Sequence, residues 1–178
     1  MLSATQHQLL ALFATTFVAL IFIASGGAKL LRPRLFVDAV RDFKIVPDSA
    51  SKPVAYLLPY LETCVGLFLL LDQYRPIFLT VAVIMLAAFT LAITVNLARG
   101  RTLISCGCFG SHEKTELTWL LVARNLLFVA VAIVGLIHGG SFTNVALAER
   151  VVVILSTGAL ITSYYLSALI VRFRQLEF

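Results

Sequence analysis

Long apolar runs separated by short polar segments dominate the chain. Five of them approach or exceed the roughly 20 residues that a helix needs to cross a bilayer, namely 8–31, 54–71, 76–97, 117–137 and 149–171. The second run is the least regular, because Pro59 and Glu62 interrupt it. The pattern predicts an all-α, polytopic transmembrane helix bundle of about five spans, with four spans and one accessory helix as the alternative.

Residues 34–44, between the first two runs, show an amphipathic pattern instead. Apolar residues recur there at helical spacing, at positions 35, 36, 39, 40 and 43, while Arg34, Asp38, Arg41 and Asp42 fall on the other face. Such a segment predicts a short interfacial helix whose apolar side lies in the headgroup boundary. A plain amphipathic connector fits the same pattern.

The composition excludes a soluble enzyme. Of the 178 residues, 60% are apolar and only 13% are charged, against about a quarter charged in an ordinary soluble domain. We therefore expect one integral membrane domain over 1–178, surrounded by membrane lipids. Its basic character does not require a nucleic acid partner, because basic residues of membrane proteins collect in cytoplasmic loops.

The placement of basic residues predicts the orientation. Eleven of the fourteen Lys and Arg residues lie in segments 29–52, 98–116 and 172–174, which five spans would put on one side. The positive-inside rule makes that side the cytosol. The expected location is the bacterial inner membrane, with the N-terminus outside and the C-terminus cytosolic.

The candidate chemistry centres on Cys106 and Cys108, which Gly107 separates. Glycine permits the backbone bend that a short disulfide ring demands, and a strained, accessible disulfide tends to exchange rather than to act as a staple. Positive charge favours the reactive thiolate, and Arg99, Arg101 and His112 supply an electropositive setting. The predicted site is a thiol–disulfide exchange pair.

Other interpretations of the cysteines remain open. The two could be ordinary reduced thiols, or they could handle a metal together with His112, although structural zinc usually takes four ligands with wider cysteine spacing. No metal is therefore assigned. Cys64, inside the second run, is expected to pack as a small buried hydrophobe.

Two intramembrane charges form a second candidate site. Counted from the cytosolic ends of their helices, Glu62 and Arg124 lie about 13 and about 10 Å deep, at 1.5 Å per residue. Ionisable groups in a membrane face the protein interior and usually have a partner. The spacing i, i+4, i+7 and i+11 predicts one inward stripe on the helix of Glu62, made of Ala55, Pro59, Glu62 and Gly66. With Asn125, Glu62 and Arg124 predict either an ion pair that locks the helices or a polar pocket for a quinone, a proton path or a substrate segment. Lys29, at the end of the first run, is expected to extend to the interface.

Several motifs resemble the methylamine-utilisation protein E (MauE) family, which is related to DoxX-type membrane proteins. The most specific is Cys-Gly-Cys-Phe-Gly at 106–110, which follows Arg-Gly-Arg at 99–101. Others are Gly-Ala-Lys-Leu at 27–30, Phe-Lys-Ile-Val-Pro at 43–47, Leu-Pro-Tyr-Leu-Glu at 58–62 and Arg-Asn-Leu at 124–126.

The resemblance implies an accessory role in the maturation of an amine dehydrogenase. It implies disulfide management in the small subunit of that enzyme and a thioredoxin-like partner protein. A membrane scaffold that docks such a partner without exchanging disulfides is an alternative. The implied client is periplasmic, whereas the charge count puts the loop of Cys106 and Cys108 on the cytosolic side. Either the pair exchanges electrons with the cytosol, or the loop folds back into the bundle, or one span is miscounted.

Overall fold

Six α-helices follow one another in a computed structural model of the chain. The structure describes residues 4–71, 74–102, 117–138 and 146–176, with side chains between 6 and 163 of those ranges. The helices are α1 (Ala4–Leu31), α2 (Pro33–Phe43), α3 (Asp48–Leu70), α4 (Arg75–Ala98), α5 (Trp119–Ile137) and α6 (Leu147–Leu176). No strand occurs within those ranges, so the predicted all-α class is confirmed.

Four helices are long and apolar enough to cross a membrane: Gln6–Leu31, Asp48–Leu70, Arg75–Ala98 and Trp119–Ile137. They correspond to the first four predicted spans, and α3 continues as one helix through Pro53 and Pro59. The fifth predicted span, 149–171, falls within α6. It stays a prediction, because the side chains of α6 are described only as far as Ser163.

The predicted amphipathic segment is a helix, but its apolar face has a different partner from the expected headgroup boundary. Phe36 and Val37 are buried and form a small apolar cluster with Ala55 of α3. The polar face, with Asp38 and Arg41, is exposed. Helix α2 therefore packs on the bundle, because its apolar stripe finds a matching stripe on α3.

Helices α1 and α3 form the most extensive contact in the bundle, and two glycines make it close. A Cβ on Gly26 of α1 would lie 2.5 Å from Thr63 Oγ1, and one on Gly66 of α3 would lie 2.8 Å from the Ala19 carbonyl oxygen. Small residues let membrane helices approach in this way. The predicted inward stripe of α3 is confirmed, since all four of its members, Ala55, Pro59, Glu62 and Gly66, are buried.

The main apolar core lies where α1, α3, α4 and α5 meet. Its fully buried members include Val18, Leu79 and Ala132. Helices α1 and α3 are antiparallel, since Gly26 lies beside Thr63 and Gly66 lies beside Ala19. A backbone hydrogen bond joins Leu117, just before α5, to Thr102, just after α4. The end of α1, the start of α3, the end of α4 and the start of α5 therefore share one end of the bundle. We call this the α2 end, because α2 lies there.

Candidate functional site

A buried ion pair joins α1 to α3 at the α2 end. The Lys29 Nζ donates a hydrogen bond to the Glu62 Oε1, and their side chains are only 3% and 1% exposed. A charge is costly inside a membrane, so such groups face the protein interior and pair. The two charges are therefore part of the framework of the bundle.

Aromatic rings from two more helices complete the surroundings of the Lys29 ammonium. Its Nζ lies 5.0 Å from the ring centroid of Phe36 on α2 and 5.0 Å from that of Phe89 on α4. A cation within about 6 Å of a ring face is attracted by the π electrons. One ammonium group thus contacts α2, α3 and α4 as well as belonging to α1.

A cavity of about 170 Å³ lies beside this pair. Helices α1 to α5 and the turn between α2 and α3 line it, mostly with apolar side chains. The aromatic lining residues are Phe22, Phe36, Phe43, Phe89 and Phe128, and the polar ones are Ser25, Lys29, Glu62, Arg124 and Asn125. The cavity is therefore mostly apolar and has a few polar groups in its lining, a combination typical of a ligand site.

The structure brings the three residues of the second candidate site together. Glu62, Arg124 and Asn125 all line the cavity; Asn125 is buried, and the Arg124 guanidinium carbon lies 5.9 Å from the Phe128 ring centroid. The ion partner of Glu62, however, is Lys29. The predicted pair between Glu62 and Arg124 is thus replaced by a shared cavity.

The expectation that Lys29 extends to the interface is wrong. Lys29 lies only two residues before the end of α1, where a lone helix would let its side chain reach water. Helix α2 begins at Pro33 and folds back over this end, so Phe36 covers the ammonium group. The sequence did not reveal the burial of Lys29, because that burial depends on the placement of a different helix.

The segment with Cys106, Cys108 and His112 lies outside the described residues. Its two ends are described, and the backbone N–H of Leu117 donates to the carbonyl oxygen of Thr102 at 2.7 Å. Leu117 is buried in an apolar cluster with Ile93 and Leu97 of α4. The segment therefore leaves and re-enters the described chain at one point of the α2 end.

Of the two arginines expected to support the cysteines, one is held by a buried side chain. Arg101 donates from a guanidinium nitrogen to the Asn96 Oδ1 at 3.4 Å, and its backbone N–H donates to the Asn96 carbonyl oxygen at 3.0 Å. Asn96 is fully buried, a role that the sequence analysis missed although it is the one amide in the apolar run of α4. Arg99 directly follows the last residue of α4 and is exposed.

Cys64 does not pack inside the bundle, contrary to expectation. It is exposed and forms no disulfide among the described residues. The helical period explains this, because Glu62 and Gly66 point inward and a residue two positions from each lies on the opposite face. Cys64 therefore faces outward on α3.

A second pair of side chains lies at the opposite end of the bundle. The Nδ1 atoms of His7 on α1 and His138 after α5 are 3.2 Å apart, and the rings stack with centroids 4.9 Å apart. Both residues are half-buried. The pair ties the start of α1 to the end of α5.

The fold and the buried charges define a class, a multi-pass membrane protein whose helices enclose a largely apolar cavity. The chain belongs to the MauE family: the family model described as "Methylamine utilisation protein MauE" matches residues 7–138. That range contains most of α1 and all of α2 to α5.

Proteins similar to this chain carry the name of the family. The chain is similar to the "Methylamine utilization protein MauE" of Paracoccus denitrificans, with 39% identity over 117 residues, which are 66% of this chain and 63% of that protein. The protein of that name from Paracoccus versutus is 36% identical over 128 residues, 72% of this chain and 69% of the relative. The match thus spans less than two thirds of the Paracoccus denitrificans protein. No solved structure matches the chain.

Proposed function

We propose that this protein is an accessory factor of methylamine utilisation in the bacterial inner membrane, where Cys106 and Cys108 exchange disulfides during the maturation of an amine dehydrogenase. The names of the relatives support a role in methylamine utilisation. The four candidate spans support a location in a membrane. The client would be the small subunit of the dehydrogenase, reached through a thioredoxin-like partner.

The observation that carries the proposal is the bond between Thr102 and Leu117, which anchors both ends of the cysteine segment at the α2 end. Chain length alone keeps Cys106, four residues after Thr102, within about 14 Å of it. The basic side chain of Arg101 is fixed at the same end, and positive charge favours the thiolate form of a nearby cysteine.

The exchange needs only the two cysteines and a disulfide or dithiol of the partner. A thiolate attacks one sulfur of a disulfide, a mixed disulfide forms, and the other sulfur leaves as a thiolate. The second cysteine of the attacking dithiol then attacks the mixed disulfide. The protein that supplied the dithiol is left with a disulfide, and its partner is released with two thiols. Two electrons and two protons pass in total from the dithiol to the disulfide.

The test is partner trapping by single cysteine variants in the full-length protein. Cys106→Ser or Cys108→Ser should leave a mixed disulfide unresolved, because the second thiol is missing. We expect a slow-migrating adduct on non-reducing gels that disappears with dithiothreitol. Cys64→Ser is the matched control, since Cys64 lies exposed on α3, and it should leave trapping by the other variants unchanged.

Each alternative has its own outcome. Absence of an adduct from both variants, with dehydrogenase maturation intact, would exclude exchange and leave a docking scaffold. Stoichiometric zinc, copper or iron in purified protein, lost in the same variants, would favour metal handling.

The positive-inside charge pattern supports a cytosolic side for the segment. Labelling of Cys106 and Cys108 by an impermeant maleimide from outside intact cells would reverse that orientation.

A further inference from the structure

The cavity at the α2 end has the size of a single ring. Its volume is about 170 Å³, and an apolar protein cavity of roughly 150 Å³ binds benzene. Five phenylalanines contribute to the lining. Flat aromatic side chains favour a flat ligand, because rings gain stability when they stack or meet edge to face.

The polar groups of the lining select the polar part of such a ligand. Lys29 and Glu62 line the cavity as an ion pair, so each already has a partner of opposite charge. The Arg124 guanidinium carries five N–H donors and the Asn125 amide carries two, and both residues belong to the lining. Such donors favour a ligand with oxygen atoms that accept hydrogen bonds.

The position of the cavity indicates that the ligand comes from the lipid. The lining includes Ile45 and Val46, in the turn between α2 and α3, and Ile45 is 46% exposed. An exposed apolar side chain at this edge of a membrane bundle meets acyl chains rather than water. A ligand that enters there is itself apolar over most of its surface.

We propose that this cavity binds the ring of a lipid-soluble quinone. The Arg124 guanidinium and the buried Asn125 amide are the donors for its carbonyl oxygens, and the phenylalanine rings hold its faces. The Lys29–Glu62 pair keeps α1 and α3 together beside the ring.

This inference rests on the proposed function, because it names the electron acceptor of the exchange pair. Oxidation of the Cys106 and Cys108 dithiol to a disulfide releases two electrons and two protons. Reduction of the quinone to the quinol takes up two electrons and two protons, so the step balances without a further reactant. The protein would then donate its disulfide to the thioredoxin-like partner that reaches the client.

Binding can be measured without the exchange reaction. Full-length protein in phosphatidylcholine nanodiscs is dialysed against a short-chain ubiquinone, with empty nanodiscs as the background. We expect saturable binding of one quinone per chain. The Cys106→Ser/Cys108→Ser double variant should bind equally well, because no cysteine is needed to hold the ring.

A pair of variants on α4 tests the place of binding. Ala92 lines the cavity, so Ala92→Phe should fill it and weaken binding at least tenfold. Ala87 is exposed on the same helix and is not a lining residue, so Ala87→Phe should bind like the unchanged protein. If Ala92→Phe fails to fold, Asn125→Leu replaces it, with an expected loss of about two- to tenfold from one hydrogen bond.

The outcomes separate this inference from the proposed function. No saturable quinone binding, while the single cysteine variants trap partners, would overturn the quinone site and leave the exchange function standing. Equal binding by the Ala87 and Ala92 variants would also overturn it. Saturable binding lost in Ala92→Phe, with no trapping by either cysteine variant, would keep the site and remove the exchange function. Displacement of the quinone by phosphatidylglycerol alone would identify an anionic lipid site instead and overturn the proposal.

Discussion

The two ends of the bundle differ in how far their polar side chains are buried and in how these side chains pair. At the α2 end, Lys29 and Glu62 are almost fully buried and bind each other. At the opposite end, His7 and His138 are half-buried and stacked. The difference comes from α2, which folds back over the end of α1. Lys29, near the end of α1, is therefore buried, whereas the start of α1 and the end of α5 are partly exposed.

This difference has an energetic consequence. Removing one partner of a buried ion pair leaves an uncompensated charge, which costs about 3–5 kcal/mol. Losing an ordinary hydrogen bond costs about 0.5–1.5 kcal/mol. The α2 end is therefore expected to be the more sensitive end, and the following variants test that ranking.

The largest effect is expected from breaking the buried pair. Glu62→Gln should leave the Lys29 ammonium without its counter-ion, and Lys29→Met should leave the Glu62 carboxylate alone. We expect each to lower the free energy of unfolding by about 3–5 kcal/mol, seen as a lower unfolding temperature in nanodiscs. The double variant Lys29→Met/Glu62→Leu should recover most of the stability, because an apolar pair of similar volume replaces the ions.

Arg124 provides the control for the identity of the partner. It shares the cavity, but Glu62 forms its buried ion pair with Lys29, so Arg124→Met should cost less than Lys29→Met. The opposite order, with stability restored by the swap Glu62→Arg/Arg124→Glu, would make Arg124 the true partner and refute the assignment of Lys29.

An intermediate effect is expected at the close contact between α1 and α3. Gly26→Ala would put a Cβ 2.5 Å from Thr63 Oγ1 and 2.9 Å from the Pro59 carbonyl oxygen, an overlap that costs about 1–3 kcal/mol. Gly27→Ala meets no atom within 4 Å and should instead stabilise the helix by about 0.5–1 kcal/mol. Unfolding temperatures of the two variants, measured side by side, should therefore move in opposite directions. Equal shifts would mean that the helices do not approach closely at Gly26.

The hydrophobic pattern predicted the helices well, since the first four spans and α2 all form. It also predicted the inward stripe of α3, because a helix period places Ala55 and Gly66 on one face whatever the neighbours are. It failed for Lys29, because the pattern of one helix does not tell which helix will cover its end. The same reason explains why Glu62 was matched with Arg124: equal depth made them compatible, but only the packed bundle shows which cation is nearer.

The smallest effect is expected at the opposite end. His7→Phe keeps the stacked ring but removes the contact between the two Nδ1 atoms, which are 3.2 Å apart. We expect a loss of about 0.5–1.5 kcal/mol, a shift of a few degrees in the unfolding temperature for a chain of this size. His138→Phe should give the same value, because each variant removes the same hydrogen bond. A loss as large as that of Glu62→Gln would show that partial exposure does not lower the cost of losing a polar contact here. The burial of the α2 end by α2 would then not explain the contrast between the two ends.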